Sequence, residues 1–397
     1  MIRKLLLLLS PPSLLLLFIY AFIFCGYSAI ASKVPHQCIK QRSASGDVDK
    51  RHDVIAIGNA VRDHMYLFDS NEDAEKALLY AVAHKDNAPD ILSRTSSKAW
   101  DDAGGVAANT VADIALLGGD ATFLYSTSSD KESSFFQNHM RKMHVNAIPH
   151  FSKDSYICDI DIVVRRGGSS EIIVRDGCSD KIADSALNWN NIKNYRMFVI
   201  EGYLLSDEGF QQQIIPLVEK VRQHEVEVVL LAGNSASVTK NKAAYLKLLP
   251  HVDYLAGSED AILALDDSRD EDPTIEDVAI SMMKDVGVLI AIRSNNTALV
   301  VEKAGAEDLC GSASHDAFHC MNHQINLIYI AHSSMYDLLD DTGSRDAFVA
   351  GFLYGRLRGL SVTESSHLGN KYNTYISKRF GTKAHDNLYQ EVCYKKK

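Results

Sequence analysis

The chain has 397 residues, 46% of them apolar and 23% charged, and carries a formal net charge of −10. That apolar share supports a sizeable core and excludes a chain that stays unfolded for want of burial; the acidic balance, with no basic stripe interleaved with aromatics, excludes nucleic acid as a partner. Seven cysteines without a C-x-x-C pair exclude a zinc ribbon or a thioredoxin-type motif.

The first element is an apolar extension. Arg3 and Lys4 precede a leucine run over residues 5–9, a Ser10-Pro11-Pro12-Ser13 break and a second apolar run over residues 14–25, followed by Ala29-Ile30-Ala31. A cleaved signal peptide, a retained anchor and a native start near Val48 all fit this pattern. The basic residues after the run, Lys33, Lys40, Arg42, Lys50 and Arg51, outnumber the two before it, which favours a cytoplasmic main body over an exported one. Any membrane contact then runs through this segment alone. Residues 1–50 are therefore read as extension and polar linker, and residues 51–397 as one domain.

That domain opens on Asp53-Val54-Ile55-Ala56-Ile57-Gly58-Asn59-Ala60-Val61-Arg62-Asp63, a buried-strand pattern ending in polar residues. Residues 69–100 read as helical. Gly104-Gly105 then leads to a helix over 109–117, a strand over 121–125 and an amphipathic helix over 134–143. Residues 156–164 and 171–175 form a hairpin about a Gly/Ser turn. Cys158 and Cys178 flank it and could face each other, but the odd cysteine total and scattered placement point to reduced, mostly buried thiols. Strands over 197–200, 226–231, 254–255 and 288–292 alternate with helices over 210–224 and 274–286, the βαβ rhythm of a parallel sheet, and a paired strand follows at 297–302. His315, His319, His323 and His332, with Cys310 and Cys320, match no familiar metal spacing and read as a surface-loop insertion. Helices over 348–357 and 363–380 close the domain. Binding groups in such sheets collect at the carboxyl ends of strands, and Asp63, Glu201, Gly233, Ser258 and Asp346 all fall just after strands or at helix starts.

The chemistry is concentrated in Asp340-Asp341-Thr342-Gly343-Ser344-Arg345-Asp346, running into a helix of small and apolar residues. Free N–H groups and the positive end of a helix dipole lie there beside a potential base. The arrangement suits phosphoryl transfer, with Asp346 accepting the proton of an attacking hydroxyl. The same residue types also make an ordinary capped helix start.

This segment resembles the C-terminal signature of the PfkB/ribokinase family of carbohydrate and nucleoside kinases, D-T-x-G-A-G-D-A-F, with Asp340, Gly343 and Asp346 in place. Ala103-Gly104-Gly105-Val106-Ala107-Ala108-Asn109 resembles the family's G-G-x-x-x-N element, and the strand ending at Asp63 resembles its opening strand. The resemblance spans residues 53–381; the N-terminal signature and Glu201-Gly202-Tyr203-Leu204 look most like the bacterial adenosine-kinase-like sugar kinases. It implies a doubly wound three-layer α/β/α sandwich with a small β lid near residues 156–175. It also implies ATP-dependent phosphorylation of a sugar or nucleoside hydroxyl, with Mg2+ carried by ATP, in a monomer or homodimer. Asp346 would be the base, Gly343, Ser344 and Arg345 would surround the transferring phosphoryl group, and Asn59, Asp63, Gly104, Gly105 and Asn109 would bind the acceptor.

The nucleotide side departs from the family pattern. Arg345 replaces the second loop glycine, so its guanidinium either reaches the phosphate or fills the anion hole. Ser258-Glu259-Asp260-Ala261 stands for N-x-x-E, Ile292-Arg293 for T-R, Gly233 for an acidic residue, and Asn370-Lys371-Tyr372-Asn373 for small residues near the base. Ser258, Glu259, Arg293 and Asn373 are the expected nucleotide-side residues. Two readings follow, a working kinase and a catalytically inactive relative that binds a nucleoside, a sugar or a partner; an exported interaction protein would require cleavage of the N-terminal segment.

Overall fold

The structure, a computed structural model, describes residues 51–84, 87–165, 170–174, 182, 188–268, 272–293, 297–303, 319–321, 325–330 and 339–381. All fall in one compact unit, residues 43–392. The apolar extension, Cys178, Cys310, His315, His323 and His332 lie outside the described residues. Among those described, no helix is long and apolar enough to cross a membrane.

Continuous apolar runs build the central sheet. In β1 (His52–Ile57), Val54-Ile55-Ala56-Ile57 is wholly buried, as is every residue of β4 (Ala121–Thr127), because helices cover both faces. β1 pairs in parallel with β4 on one side and β8 (Tyr195–Glu201) on the other. From β8 the parallel array continues through β9 (Glu227–Leu231), β10 (Tyr254–Ser258) and β11 (Val288–Ile292), and β5 (Asn146–Phe151) pairs outside β4. β12 (Ala298–Lys303), β14 (Ile325–Ile330) and β13 (His319–Met321) extend the sheet antiparallel, giving ten strands in the order β13-β14-β12-β11-β10-β9-β8-β1-β4-β5. The segment expected to be a surface-loop insertion thus supplies two sheet strands around the residues that lie outside the description; Ile325-Asn326-Leu327-Ile328-Tyr329-Ile330 buries Leu327, Ile328 and Ile330.

The second sheet has the order β3-β2-β6-β7, with β2 (Val61–Phe68), β3 (Lys98–Gly104), β6 (Cys158–Arg165) and β7 (Ser170–Val174). It is separate from the central sheet and larger than the expected hairpin. The opening strand is two strands, broken at Gly58-Asn59-Ala60, so Asp63 belongs to the lid. Trp100 is also on a lid strand instead of a helix; the helices in that stretch are Asn71–Ala83 and Ala88–Thr95. Side chains alternate across a strand. On one face Met65, Ile162 and Val164 cluster, with Asp63 and Ile160 in register. On the other, Tyr66, Phe68 and Val163 pack against Ala74, Ala77, Ala81, Ala88 and Leu92 of the two helices. There His64 bridges Asp101 at 2.7 Å and Asp159 at 3.0 Å. A cavity of about 470 Å³ lined by His64, Tyr66, Pro89, Asp90 and Ser93 lies on this helix-covered side, away from Asp63.

One cysteine expectation is corrected. Cys158, at the start of β6, is disulfide-bonded. Scattered spacing in sequence carried no information about which thiols pair.

Candidate active site

The order of the sheet reverses at β1, whose neighbours are β4 and β8, and in open α/β sheets the crevice outside the carboxyl ends at such a switch point is where ligands bind. Gly58 follows β1 there, and a Cβ on it would lie 2.5 Å from Glu201 Oε2. Glu201, the last residue of β8, is buried, and its Oε2 accepts the Ala107 N–H at 3.0 Å. The carboxylate sits at the positive end of the Val106–Leu116 helix, where the dipole favours it. Sequence reasoning placed Glu201 at a strand end without giving it this task; an acid closing the buried apolar run Met197-Phe198-Val199-Ile200 was the available signal.

The Val106–Leu116 helix is apolar almost all round and buries every residue from Ala107 to Leu116, so it is fixed in depth. Its start depends on two glycines. Gly105 has φ +110° and passes directly over the Asn59 carbonyl, and a Cβ on Gly104 would collide with the Asp63 carboxylate. One turn in, Asn109 Nδ2 donates to Asp346 Oδ2 at 2.9 Å, a contact between residues 237 apart. A carboxylate only accepts, so the amide nitrogen faces it, and Asn109 Oδ1 is left buried with no hydrogen-bond partner.

Asp346 lies in the first turn of the Ser344–Leu357 helix, which begins from left-handed Gly343 at φ 73°. The loop before it is held by its own groups. Asp340 is fully buried; its Oδ1 accepts the Thr342 N–H and its Oδ2 the Gly381 N–H, both at 2.9 Å. Burial pushes its carboxyl up, against the pull of those hydrogen bonds. The Asp341 carbonyl accepts the Ser344 N–H at 3.1 Å. Ser344 Oγ and Thr342 Oγ1 are buried without partners. Arg345 neither fills the hole nor strains the loop: it is exposed, and positive φ among described non-glycine residues occurs only at His144 and Glu225. The loop needs its glycine at Gly343, while position 345 is ordinary helix.

The helix behind the loop is set by close packing. Gly351 meets Gly369 so tightly that a Cβ on either would strike the backbone of the other helix, Val362–Ile376. Tyr372 of that helix donates to buried Asp113 at 2.7 Å, tying it to the Val106–Leu116 helix; burial first, then Asp113, pushes the phenol well up.

The nucleotide-side residues form a second group. Ser258 caps the Glu259–Leu263 helix, its Oγ accepting the Ala261 N–H at 3.3 Å. Glu259 Oε1 accepts from Arg293 Nε at 3.1 Å, and Arg293 also donates to Glu276 at 3.0 Å. Burial works against the guanidinium, but the two carboxylates outweigh it and hold its pKa up. The triad carries a net negative charge. At Gly233 the Tyr203 ring takes the side-chain space, with ring carbons 3.0–3.3 Å from where a Cβ would be. Asn373 is fully buried; its Oδ1 accepts from Ser377 Oγ at 3.1 Å and its Nδ2 has no partner.

The architecture has close counterparts of known structure. A probable sugar kinase from Rhizobium etli superposes with a TM-score of 0.69 at 19% identity, covering 86% of this chain and 98% of that one. The adenosine kinase from Sinorhizobium meliloti gives 0.68 at 22% identity over the same shares. In sequence, the 5-dehydro-2-deoxygluconokinase of Bacillus licheniformis is 24% identical over 334 residues, 81% of this chain and 89% of that protein. The family model for pfkB family carbohydrate kinases matches residues 76–386. That match spans both partners of the Asn109–Asp346 contact, and with it the chain belongs to the pfkB family of carbohydrate kinases, as an ATP-dependent kinase.

Proposed function

We propose that the protein transfers the γ-phosphoryl group of ATP to a hydroxyl of a small sugar or nucleoside, with Asp346 as general base. The observation that carries this reading is the Asn109–Asp346 hydrogen bond. It joins the acceptor signature to the base and leaves Asn109 Oδ1, buried and unsatisfied, to accept from a substrate hydroxyl. A buried acceptor without a donor is costly, and a bound hydroxyl removes that cost. Asp63 above Gly104 and the Asn59 backbone beside Gly105 line the same end of the crevice. Asp346 takes the proton of the attacking hydroxyl, and the first-turn N–H groups after Gly343 face the charge on the transferring group.

Magnesium fits as an ion carried on the phosphates, since a hard cation takes oxygen ligands and retains water; when bound it would neutralise phosphate charge. Glu259 is already engaged by Arg293, so Asp260, exposed in the same helix turn, is the carboxylate left to contact it through water.

The Arg293 triad is the one observation that favours a non-catalytic relative, because it leaves that cation neutralised on the nucleotide side. A panel of nucleosides and sugars with ATP and magnesium separates the two, reading ADP release beside direct binding by calorimetry. Acceptor-dependent ADP release is expected. Tight acceptor binding with no ADP release across the panel would establish the binding-only reading.

A further inference from the structure

The lid and the loop that precedes Asp346 are joined by one polar contact. Ser170, the first residue of β7, donates its hydroxyl to Asp341 Oδ1 at 3.0 Å across 171 residues of chain. Its placement follows from register. Ser170 pairs with Val164, Val164 with Leu67, and Leu67 lies on the same face of β2 as Asp63. The hydroxyl therefore leaves the lid on the face that carries the acceptor-binding carboxylate. Asp341 is held from the other side as well, because its backbone carbonyl caps the N–H of Ser344, two residues before the base. The neighbouring Asp340 carboxylate fixes Thr342. A pull on the Asp341 side chain is thus transmitted through a short, hydrogen-bonded loop to the helix start at Gly343.

We propose that Ser170 and Asp341 form a latch that sets the phosphoryl-holding loop only when the lid is down. Both are positioning residues, acting through the Ser344 N–H on the turn that presents Asp346. The acceptor lies beneath the lid face, so its presence favours the closed arrangement, and the latch makes ATP turnover conditional on it. The second position of the family signature is threonine, whose shorter branched side chain offers no carboxylate to reach across; Asp341 in this chain does. The proposal rests on the kinase reading for its kinetic consequence and on geometry alone for the contact.

The test compares the full-length chain with Ser170→Ala, Asp341→Ala and the double variant. With the acceptor found by the panel, each single change should raise acceptor KM about fivefold, the worth of one partly exposed hydrogen bond to a charge. Each should also raise the ratio of acceptor-independent ATP hydrolysis to transfer. The double variant should be no worse than either single one, since both remove the same contact. Asp341→Asn, which keeps an acceptor oxygen, should recover most of the loss. Hydrogen exchange at the amides of residues 170–174 needs no turnover and should quicken in Asp341→Ala. Unchanged exchange there, or additive losses in the double variant, would overturn the latch; a wild-type chain without transfer would strike the kinase reading and leave the exchange arm to decide this one.

Discussion

Asp346 and Asp63 are both carboxylates close to the start of the Val106–Leu116 helix, but their surroundings differ. Asp346 is half-buried and hydrogen-bonded to an amide at the mouth of a helix, whereas Asp63 is buried over Gly104 on the lid. Asp346→Asn should lower kcat by roughly 100-fold to 10,000-fold, the usual worth of a general base, with acceptor affinity by calorimetry nearly unchanged. Asp63→Ala should act mainly on affinity, weakening acceptor binding by about 10-fold as a buried hydroxyl contact is lost. Arg345 gives the opposite kind of result. Its side chain is in solvent and its backbone is helical, so Arg345→Gly should change steady-state turnover by no more than about twofold, as for other surface substitutions. A tenfold gain would show that the guanidinium obstructs the phosphate. Residue types alone singled out Asp346, Asn109 and the two glycines, and the structure brings them together at the start of one helix. Glu201, Ser170 and Asp341 were not legible in those roles. Each depends on a partner 94 or 171 residues away, and nothing local in the sequence marks such a pairing.

At the scale of elements, the parallel strands were the readable part, since a strand buried on both faces must be a continuous apolar run. The lid was harder. Asp53 to Asp63 reads as one strand because the break at Gly58-Asn59-Ala60 is short and the apolar pattern resumes beyond it, while the chain in fact leaves one sheet for another. β3 was hidden for a related reason: Lys98-Ala99-Trp100-Asp101-Asp102 is polar and half exposed, and no alternation announces it. Helix packing offers a direct test of how the base is held. A Cβ at Gly369 would lie 2.6 Å from the Phe348 carbonyl, a backbone atom that cannot swing aside. Gly369→Ala should therefore destabilise the protein by about 1–3 kcal/mol in chemical denaturation, and should lower kcat by tilting the helix that starts beside Asp346. Wild-type stability in that variant would mean that the two helices pack more loosely than their backbones indicate.

Over the whole molecule, the end of the sheet opposite the site is tied by Asp53. Arg358 donates to both of its oxygens at 2.9 and 2.8 Å, the Asp120 N–H donates at 3.0 Å, and Arg196 stands 3.7 Å away. Burial opposes ionisation, but the Arg358 hydrogen bonds and the neighbouring donors outweigh it and lower the pKa below 3.8. The stabilisation is thus fully present above that unfolded value and is lost as pH falls through the lower folded one. Asp340 works in the other sense: its raised pKa means that ionisation costs stability as pH rises above 3.8, so acid relieves it. Arg358→Ala should lower unfolding free energy at pH 7 by about 2 kcal/mol, the usual scale for hydrogen bonds to a charged group, and its difference from wild type should shrink as pH drops below 3.8. A gap that stays constant down the acid limb would show that Asp53 is not the group responsible.

The contact between Asn109 and Asp346 has a meaning in time as well as in space. During synthesis at roughly 5–20 residues per second, the 237 residues that separate them take on the order of ten to fifty seconds to follow. Throughout that interval the emerging chain already has its glycine turn and its amide, yet the residue that would receive the proton has not been made. On the proposed role of Asp346, a ribosome-bound or prematurely terminated chain is a phosphotransferase without its final part, and it should transfer no phosphate from ATP until nearly the last helices have left the exit tunnel.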